Sequence, residues 1–221
     1  MITITIDGLE VNVEDGMTLL EAARFMGFSI PTLCYHEGLS PYGSCRLCVV
    51  EIGEEPKSKL VCSCAYPVEQ GLKMQTSSRR VLRARRVLIE LLLGTCPQSK
   101  VIQDLASAHG VSTQRFRQEH EDCILCGLCV RICSEQMVAG AIGFRGRGEE
   151  RSVGTPFDIK SDICRLCGAC MYVCPACQLR CTFDQPDKAV CNACIDLTQP
   201  CMQTQEESAP MCYPVDSGEF E

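Results

Sequence analysis

Asp122-Cys-Ile-Leu-Cys-Gly-Leu-Cys-Val-Arg-Ile-Cys133 and Asp162-Ile-Cys-Arg-Leu-Cys-Gly-Ala-Cys-Met-Tyr-Val-Cys-Pro175 are two copies of one pattern. Each copy spaces four cysteines as Cys-x2-Cys-x2-Cys-x3-Cys: Cys123, Cys126, Cys129 and Cys133, then Cys164, Cys167, Cys170 and Cys174. The likeness extends past the thiols, because both copies read Cys-x-Leu-Cys-Gly-x-Cys. Soft thiolates at this spacing suit a cubic four-iron cluster, which carries one electron at a time. A zinc ribbon is the rival reading for isolated Cys-x2-Cys pairs. It does not account for two four-cysteine runs with Gly127, Gly168 and Pro175 in place. The pattern implies conduction of electrons before it implies catalysis.

Composition narrows the class. Twenty cysteines in 221 residues would mark a disulfide scaffold only in a short secreted chain. The opening Met1-Ile-Thr-Ile-Thr-Ile6 has the alternation of a strand and lacks the basic and apolar regions of a secretory leader. Reduced intracellular thiols are available to metal, so a cytoplasmic protein is expected. No apolar run approaches the roughly 20 residues of a membrane span. Tryptophan is absent and aromatics are 5% of the chain, so the clusters are expected to serve as folding cores. The net charge is −7. Basic residues gather at Arg79, Arg80, Arg83, Arg85 and Arg86 and at Arg115 and Arg117, whereas Glu206, Glu207, Asp216, Glu219 and Glu221 make the end acidic. That balance argues against nucleic acid. The arginines are expected to dock another subunit or to solvate a helix face.

Upstream of the runs, Ile2, Ile4 and Ile6 alternate with threonines, Asp7-Gly8 signals a hairpin turn, and Leu9, Val11 and Val13 resume the alternation. Thr18-Leu-Leu-Glu21 is a capping box that opens a short helix through Met26, stopped by Gly27. A cysteine loop follows, with Cys34, Cys45 and Cys48 at Cys-x10-Cys-x2-Cys, then the strand Val49-Val-Glu-Ile52 and a polar loop. Gly43 and Ser44 would let backbone N–H groups approach cluster sulfurs. Strand, hairpin, helix and cysteine loop resemble the opening of a β-grasp two-iron ferredoxin.

Ile30-Pro-Thr-Leu-Cys-Tyr-His36, Gly43-Ser-Cys-Arg-Leu-Cys-Val-Val-Glu-Ile52 and Ala65-Tyr-Pro-Val-Glu-Gln-Gly71 resemble the N-terminal iron–sulfur domain of the complex I large subunit. The same domain occurs in NAD-linked and [FeFe] hydrogenases. The family's usual spacing of thirteen residues before its last ligand would select Cys62. Its Tyr/Thr-Pro-Val just after that ligand selects Cys64 and requires a two-residue insertion near Glu54 to Lys59. Loop insertions cost little, so Cys34, Cys45, Cys48 and Cys64 are the expected ligands, with Cys62 a small buried thiol.

From Ser78, Arg79-Arg-Val-Leu-Arg-Ala-Arg-Arg-Val-Leu-Ile-Glu-Leu-Leu-Leu93 reads as a helix stopped by Gly94. Its apolar side is Val81, Leu82, Ile89, Leu92 and Leu93, and arginines fill the other. A second short helix is expected around Val101 to Ala108. In the complex I relatives this linker leads to a cluster held by one histidine and three cysteines. Here Cys96 stands alone, so that cluster is expected to be absent and Cys96 to be packed. His109 and His120 read as surface residues. In bacterial-type ferredoxins the fourth cysteine of each run ligates the other cluster. The resemblance therefore implies one cluster on Cys123, Cys126, Cys129 and Cys174 and another on Cys164, Cys167, Cys170 and Cys133. Ala141-Ile-Gly-Phe-Arg-Gly-Arg-Gly148 and Val153-Gly-Thr-Pro-Phe-Asp158 also resemble this family and are expected to form a connecting hairpin.

Ala189-Val-Cys-Asn-Ala-Cys-Ile-Asp-Leu-Thr-Gln-Pro-Cys201 resembles the third cysteine run of iron–sulfur subunits in formate dehydrogenase-like enzymes. Gln205 stands where those runs place another cysteine. Cys181, Cys191, Cys194 and Cys201 are the expected ligands of a third four-iron cluster, or of zinc, and Cys177 or Cys212 could replace one of them.

The expected fold is α+β. It comprises a β-grasp two-iron domain over 1–77, a helical linker over 78–121, a bacterial-type domain with two four-iron clusters over 122–181, and a cysteine-rich extension with an acidic tail over 182–221. No nucleotide-binding glycine fingerprint, nucleophile–base set or hydride site is present, so no catalytic residue is expected. Because such clusters cannot accept a hydride, a partner flavin would have to split the electron pair of NAD(P)H. The resemblance thus implies an electron-transfer subunit of a cytoplasmic NAD(P)H-linked oxidoreductase. Its expected partners are a flavin- and NAD(H)-binding subunit, a second catalytic subunit and, in a Sporomusa-type electron-bifurcating transhydrogenase, soluble ferredoxin. An iron–sulfur subunit of an NAD-dependent formate dehydrogenase or hydrogenase is the alternative, and a free-standing polyferredoxin is a further one.

Overall fold

A computed structural model of the protein describes residues 1–112, 115–116, 123–159 and 161–176. Strands β1 (Ile2–Ile6) and β2 (Leu9–Val13) pair antiparallel, from Ile2 opposite Val13 to Ile6 opposite Leu9. The turn places Asp7 at φ 47° and Gly8 at φ 89°. Positive φ at both positions matches the twist of a two-residue hairpin, and Asp-Gly tolerates it. The alternation buries Ile4, Ile6, Val11 and Val13 on one face.

Helix α1 (Leu19–Phe25) carries the expected capping box. The Thr18 N–H donates to Glu21 Oε2 at 2.7 Å, and the Glu21 N–H donates to Thr18 Oγ1 at 3.3 Å. Leu19, Leu20, Ala22 and Ala23 face inward.

Strands β3 (Val49–Ile52), β4 (Lys59–Cys62) and β5 (Lys73–Gln75) complete a five-stranded sheet in the order β2-β1-β5-β3-β4. The β1–β5 pair is parallel and the others are antiparallel, so the sheet is mixed. Ile4, Ile6, Leu19, Leu20, Val50 and Met74 fill the space between sheet and helix. The segment expected as a polar loop after Ile52 contains a strand in its second half. Lys59-Leu-Val-Cys62 folds back along β3, bringing Cys62 opposite Val49. Its pairing bonds come from the backbone, so polar and exposed side chains at Lys59 and Leu60 do not prevent it.

Helix α2 (Arg79–Thr95) is capped by Ser78, whose hydroxyl accepts from the Val81 N–H. It does not stop at Gly94, which is buried inside its last turn. The stop falls at Cys96, where φ −124° and ψ 69° leave the helical region. Pro97 follows, and proline crowds the residue before it out of helical geometry. Helix α3 (Lys100–Ala108) packs back through Ile102 and Ala106 against Ile89.

The cysteine runs open short helices α4 (Leu128–Arg131) and α5 (Ala169–Tyr172). Helix α4 continues as a π-helical turn over Ile132–Gln136. Strands β6 (Gly143–Arg145) and β7 (Ser152–Gly154) form the expected connecting hairpin. Among the described residues no helix is long and apolar enough to cross a membrane.

Candidate iron–sulfur centres

The two-iron loop gathers its thiols at the rim of the mixed sheet. Cys34, Cys48 and Cys64 are each 1% exposed and Cys45 is 9% exposed, although sequence separates them widely. The Cys45 N–H donates to Cys34 Sγ at 3.4 Å. The Sγ atoms of Cys48 and Cys64 lie within 3.3 Å. Hydrogen bonding from Cys45 holds the Cys34 thiol down at about 6. Hydrogen bonds from Cys62 and then Cys64 hold Cys48 at about 2, while their shared bonds push Cys62 and Cys64 up. The lowered values favour the thiolate, the form that ligates metal, at Cys34 and Cys48. Cys62 is half-buried rather than the buried thiol expected. It ends β4, two residues before Cys64, and packs at the margin of the core.

The first four-iron run is also an inward-facing thiol set. Cys126 and Cys129 are each 5% exposed, and Cys174 is 8% exposed. Cys129 lies within electrostatic reach of Cys126, Cys174, Cys123 and Cys170. Burial pushes Cys126 up to about 12 and Cys129 up as well. Cys123, Cys129, Cys133, Cys170 and Cys174 belong to one apolar cluster with Ile142 and Val153. The structure thus brings Cys174 within electrostatic reach of Cys126 and Cys129, and packs Cys133 and Cys170 against the same apolar cluster. Cys164 is half-buried and Cys167 exposed, and neither joins that cluster.

Backbone geometry repeats with the sequence. Leu125 and Leu166 stand at φ 52° and 53°, and Gly127 and Gly168 at φ 73° and 71°. Alternating left-handed residues turn successive N–H groups into a concavity that suits anions and iron–sulfur sites. The Leu125 N–H donates to Cys123 Sγ and the Ala141 N–H to Cys133 Sγ, each at 3.3 Å. Donor set and cradle both fit iron–sulfur clusters. Among the described residues no three His, Cys, Asp or Glu side chains close on a single metal ion.

Two arginines missed by the sequence reading grip this region. Arg85, expected on the arginine face of α2, is 4% exposed. Its Nε and guanidinium donate to the carbonyls of Leu47 and Val49 at 3.2 and 2.8 Å, on either side of Cys48. The signal was present, because Val81, Arg85 and Ile89 recur every four residues and share one helix stripe. Leu82, expected on the apolar side, is 45% exposed instead. Arg80 and Arg86 are likewise engaged, with Glu51 and with the Gly110 carbonyl. Arg131 lies between the two cysteine regions and donates to the carbonyl of Cys34 at 2.6 Å. No sequence period marks it, since α4 has only four residues.

Cys96 is 2% exposed among Leu33, Leu47, Ile89 and Ile102. His109 is half-buried rather than on the surface, with its ring Nδ1 3.0 Å from the Leu105 carbonyl. His120, Cys177, Cys181, Cys191, Cys194, Cys201 and Cys212 lie outside the described residues.

Residues 1–79 match the 2Fe-2S iron-sulfur cluster binding domain family, and residues 122–177 match the 4Fe-4S dicluster domain family. A chain in a crystal structure of an NAD+-reducing [NiFe]-hydrogenase in the H2-reduced state is 34% identical, with a TM-score of 0.62. The match covers 70% of this chain and 74% of that one. This chain belongs to that iron–sulfur family. The NADP-reducing hydrogenase subunit HndD of Solidesulfovibrio fructosivorans is 34% identical over 79% of this family member and 35% of its own length. The mitochondrial NADH-ubiquinone oxidoreductase 78 kDa subunit of Candida albicans is 31% identical over 70% of this chain and 25% of its own length. The chain thus spans about a third or less of these curated relatives. As a family member it carries one two-iron domain and one domain for two four-iron clusters.

Proposed function

We propose that the protein is an electron-transfer subunit of an NAD(P)H-linked multi-subunit oxidoreductase. Its two-iron site is held by Cys34, Cys45, Cys48 and Cys64 on a β-grasp module. Its four-iron sites are held by Cys123, Cys126, Cys129 and Cys174, and by Cys164, Cys167, Cys170 and Cys133. One observation carries the reading: Cys34 and Cys45 of the first region share an apolar cluster with Cys126 of the second. Two redox sites on facing walls of one dry core are suited to electron exchange.

When bound, the clusters supply one-electron storage at low potential. The chain supplies the rest. Its thiols anchor iron, its left-handed turns aim N–H groups at the sites, and Leu33, Leu39, Leu47, Ile89 and Leu128 exclude water between them. Dry surroundings and hydrogen bonds to sulfur are the protein's main means of setting potential.

The relatives named as subunits for NADP and NADH chemistry support partner subunits in an NAD(P)H-linked complex; a flavin- and NAD(H)-binding subunit and a second catalytic subunit that takes the current are the partners this reading adds. A cytoplasmic setting follows from the reduced thiols such sites require. An electron-bifurcating arrangement that also engages ferredoxin is the specialised form of this reading. Cys181, Cys191, Cys194 and Cys201 are proposed to hold a third four-iron cluster, with zinc as the competing metal.

Oxygen-free purification with iron and sulfide counting tests the reading. The three clusters of the matched domains give about ten iron atoms per chain, and the third four-iron cluster raises this to about fourteen. Absence of iron would end it.

A further inference from the structure

Arg131 sits in the middle of the first four-iron run, two residues after Cys129 and two before Cys133, yet its contacts are with the two-iron loop. One terminal nitrogen donates to the Cys34 carbonyl at 2.6 Å, and the other donates to the Ser40 carbonyl. The guanidinium carbon lies 5.5 Å from the centroid of the Tyr42 ring. The residue is 9% exposed, and its Nε is buried with no hydrogen-bond partner among the described residues.

Nearby contacts follow the same seam. The Ser40 N–H donates to Glu135 Oε2 at 2.7 Å, and Gln136 donates to the Gly38 carbonyl. The Ser44 hydroxyl donates to the Leu125 carbonyl at 3.1 Å. Tyr42 stacks on Phe144 with ring centroids 6.2 Å apart. The π-helical turn carries Glu135 and Gln136 to this seam, and such turns recur at functional sites. A planar guanidinium bridging two carbonyls fixes both distance and angle, which a lysine cannot do. Burying a charge and an unpaired donor is costly. The fold nonetheless accepts that cost at the junction of two redox regions.

We propose that Arg131 is a positioning residue that fixes the spacing between the two-iron site and the first four-iron site. It thereby sets the rate at which they exchange electrons. The exchange moves one electron from a reduced site to an oxidised one and makes or breaks no bond. Because tunnelling falls steeply with distance, a small widening of the seam slows it. The inference rests on the ligand sets proposed above.

The test uses the full chain, purified without oxygen and reduced with dithionite. Pulsed electron paramagnetic resonance reads the relaxation of the two-iron signal, which a neighbouring reduced four-iron site accelerates. Arg131→Gln is expected to keep iron content and the two-iron g values but to lose most of that acceleration. Arg131→Lys is expected to recover only part of it. Wild-type relaxation in either variant, with iron unchanged, would overturn the proposal. If Arg131→Gln fails to load iron, Arg131→Lys decides by the same criterion. Failure of both to load would assign Arg131 to assembly and also overturn it. Wild-type protein that lacks iron or any acceleration would instead sink the ligand sets on which the inference stands.

Discussion

Cys48 and Cys64 place their sulfur atoms 3.3 Å apart although sixteen positions separate them in the chain. The β3–β4 pairing makes this closeness, because it returns the chain beside Val49 at Cys62 and leaves Cys64 just past the strand end. Both residues are 1% exposed, whereas Cys62 is only half-buried. Cys64→Ser is therefore expected to remove the two-iron absorbance and paramagnetic signal, and Cys62→Ser to leave both near wild type. The opposite pattern would move the fourth ligand to Cys62.

Arg85 holds the loop from the other side. Arg85→Met would leave the buried carbonyls of Leu47 and Val49 without their donors. An unpaired buried polar group costs about 1–3 kcal/mol, so the two-iron region is expected to lose about 2 kcal/mol of stability. The readout is the urea midpoint for bleaching of the two-iron absorbance. An unchanged midpoint would show that the carbonyls find other partners.

Glu51 ties the sheet to α2. The Ser58 hydroxyl, then the Ser78 hydroxyl and Arg80, donate to its carboxylate and hold its pKa below the ordinary 4.5. A carboxyl whose pKa is lower in the fold than in the unfolded chain stabilises the fold above the ordinary value. That contribution fades as pH falls below 4.5 through the folded value. Glu51→Gln is expected to flatten the acid side of the stability curve, scanned from about pH 6 to about pH 3. Both proteins carry the same thiols, so the difference between their curves isolates the carboxylate. Parallel curves would remove Glu51 from acid stability.

Gly127 and Gly168 occupy equivalent places with nearly equal φ of 73° and 71°, but their surroundings differ. A Cβ on Gly127 would meet Phe144 Cζ at 3.1 Å and Tyr42 Cε1 at 3.2 Å, whereas one on Gly168 would meet nothing within 4 Å. Both alanine variants bear left-handed strain of about 1–2 kcal/mol; Gly127→Ala adds crowding. Thermal bleaching should show a larger loss in Gly127→Ala than in Gly168→Ala. Equal losses would mean that the two rings yield freely.

Much of this architecture could be read from local signals. Asp7-Gly8 and the Thr18/Glu21 box each act through their own backbone, so sequence alone locates them. The cysteine spacing likewise located the two repeated runs, because ligation geometry is written in intervals; their left-handed turns became visible only in the structure. Strand β5 escaped notice because it is three residues with one buried side chain, Met74, and exists only by pairing with β1 and β3. Arg131 escaped for a similar reason, since its partners lie more than ninety positions away, at Ser40 and Cys34. Arg85 was legible in principle, but its charge was read as a surface signal although its stripe pointed inward. Leu82 failed in the opposite way, as an apolar residue assigned inward by type that the helix carries to the outside.

The sheet order has a consequence for biosynthesis. Strand β5, the last of the five strands of the mixed sheet to leave the ribosome, lies between β1 and β3 in the finished sheet. Until Lys73–Gln75 emerges, the N-terminal hairpin has no partner joining it to the strand that follows Cys48. All four proposed two-iron thiols precede in the chain the strand that closes the sheet. A nascent chain truncated just before Lys73 would retain every one of those sulfurs and none of the strand that fastens its halves together.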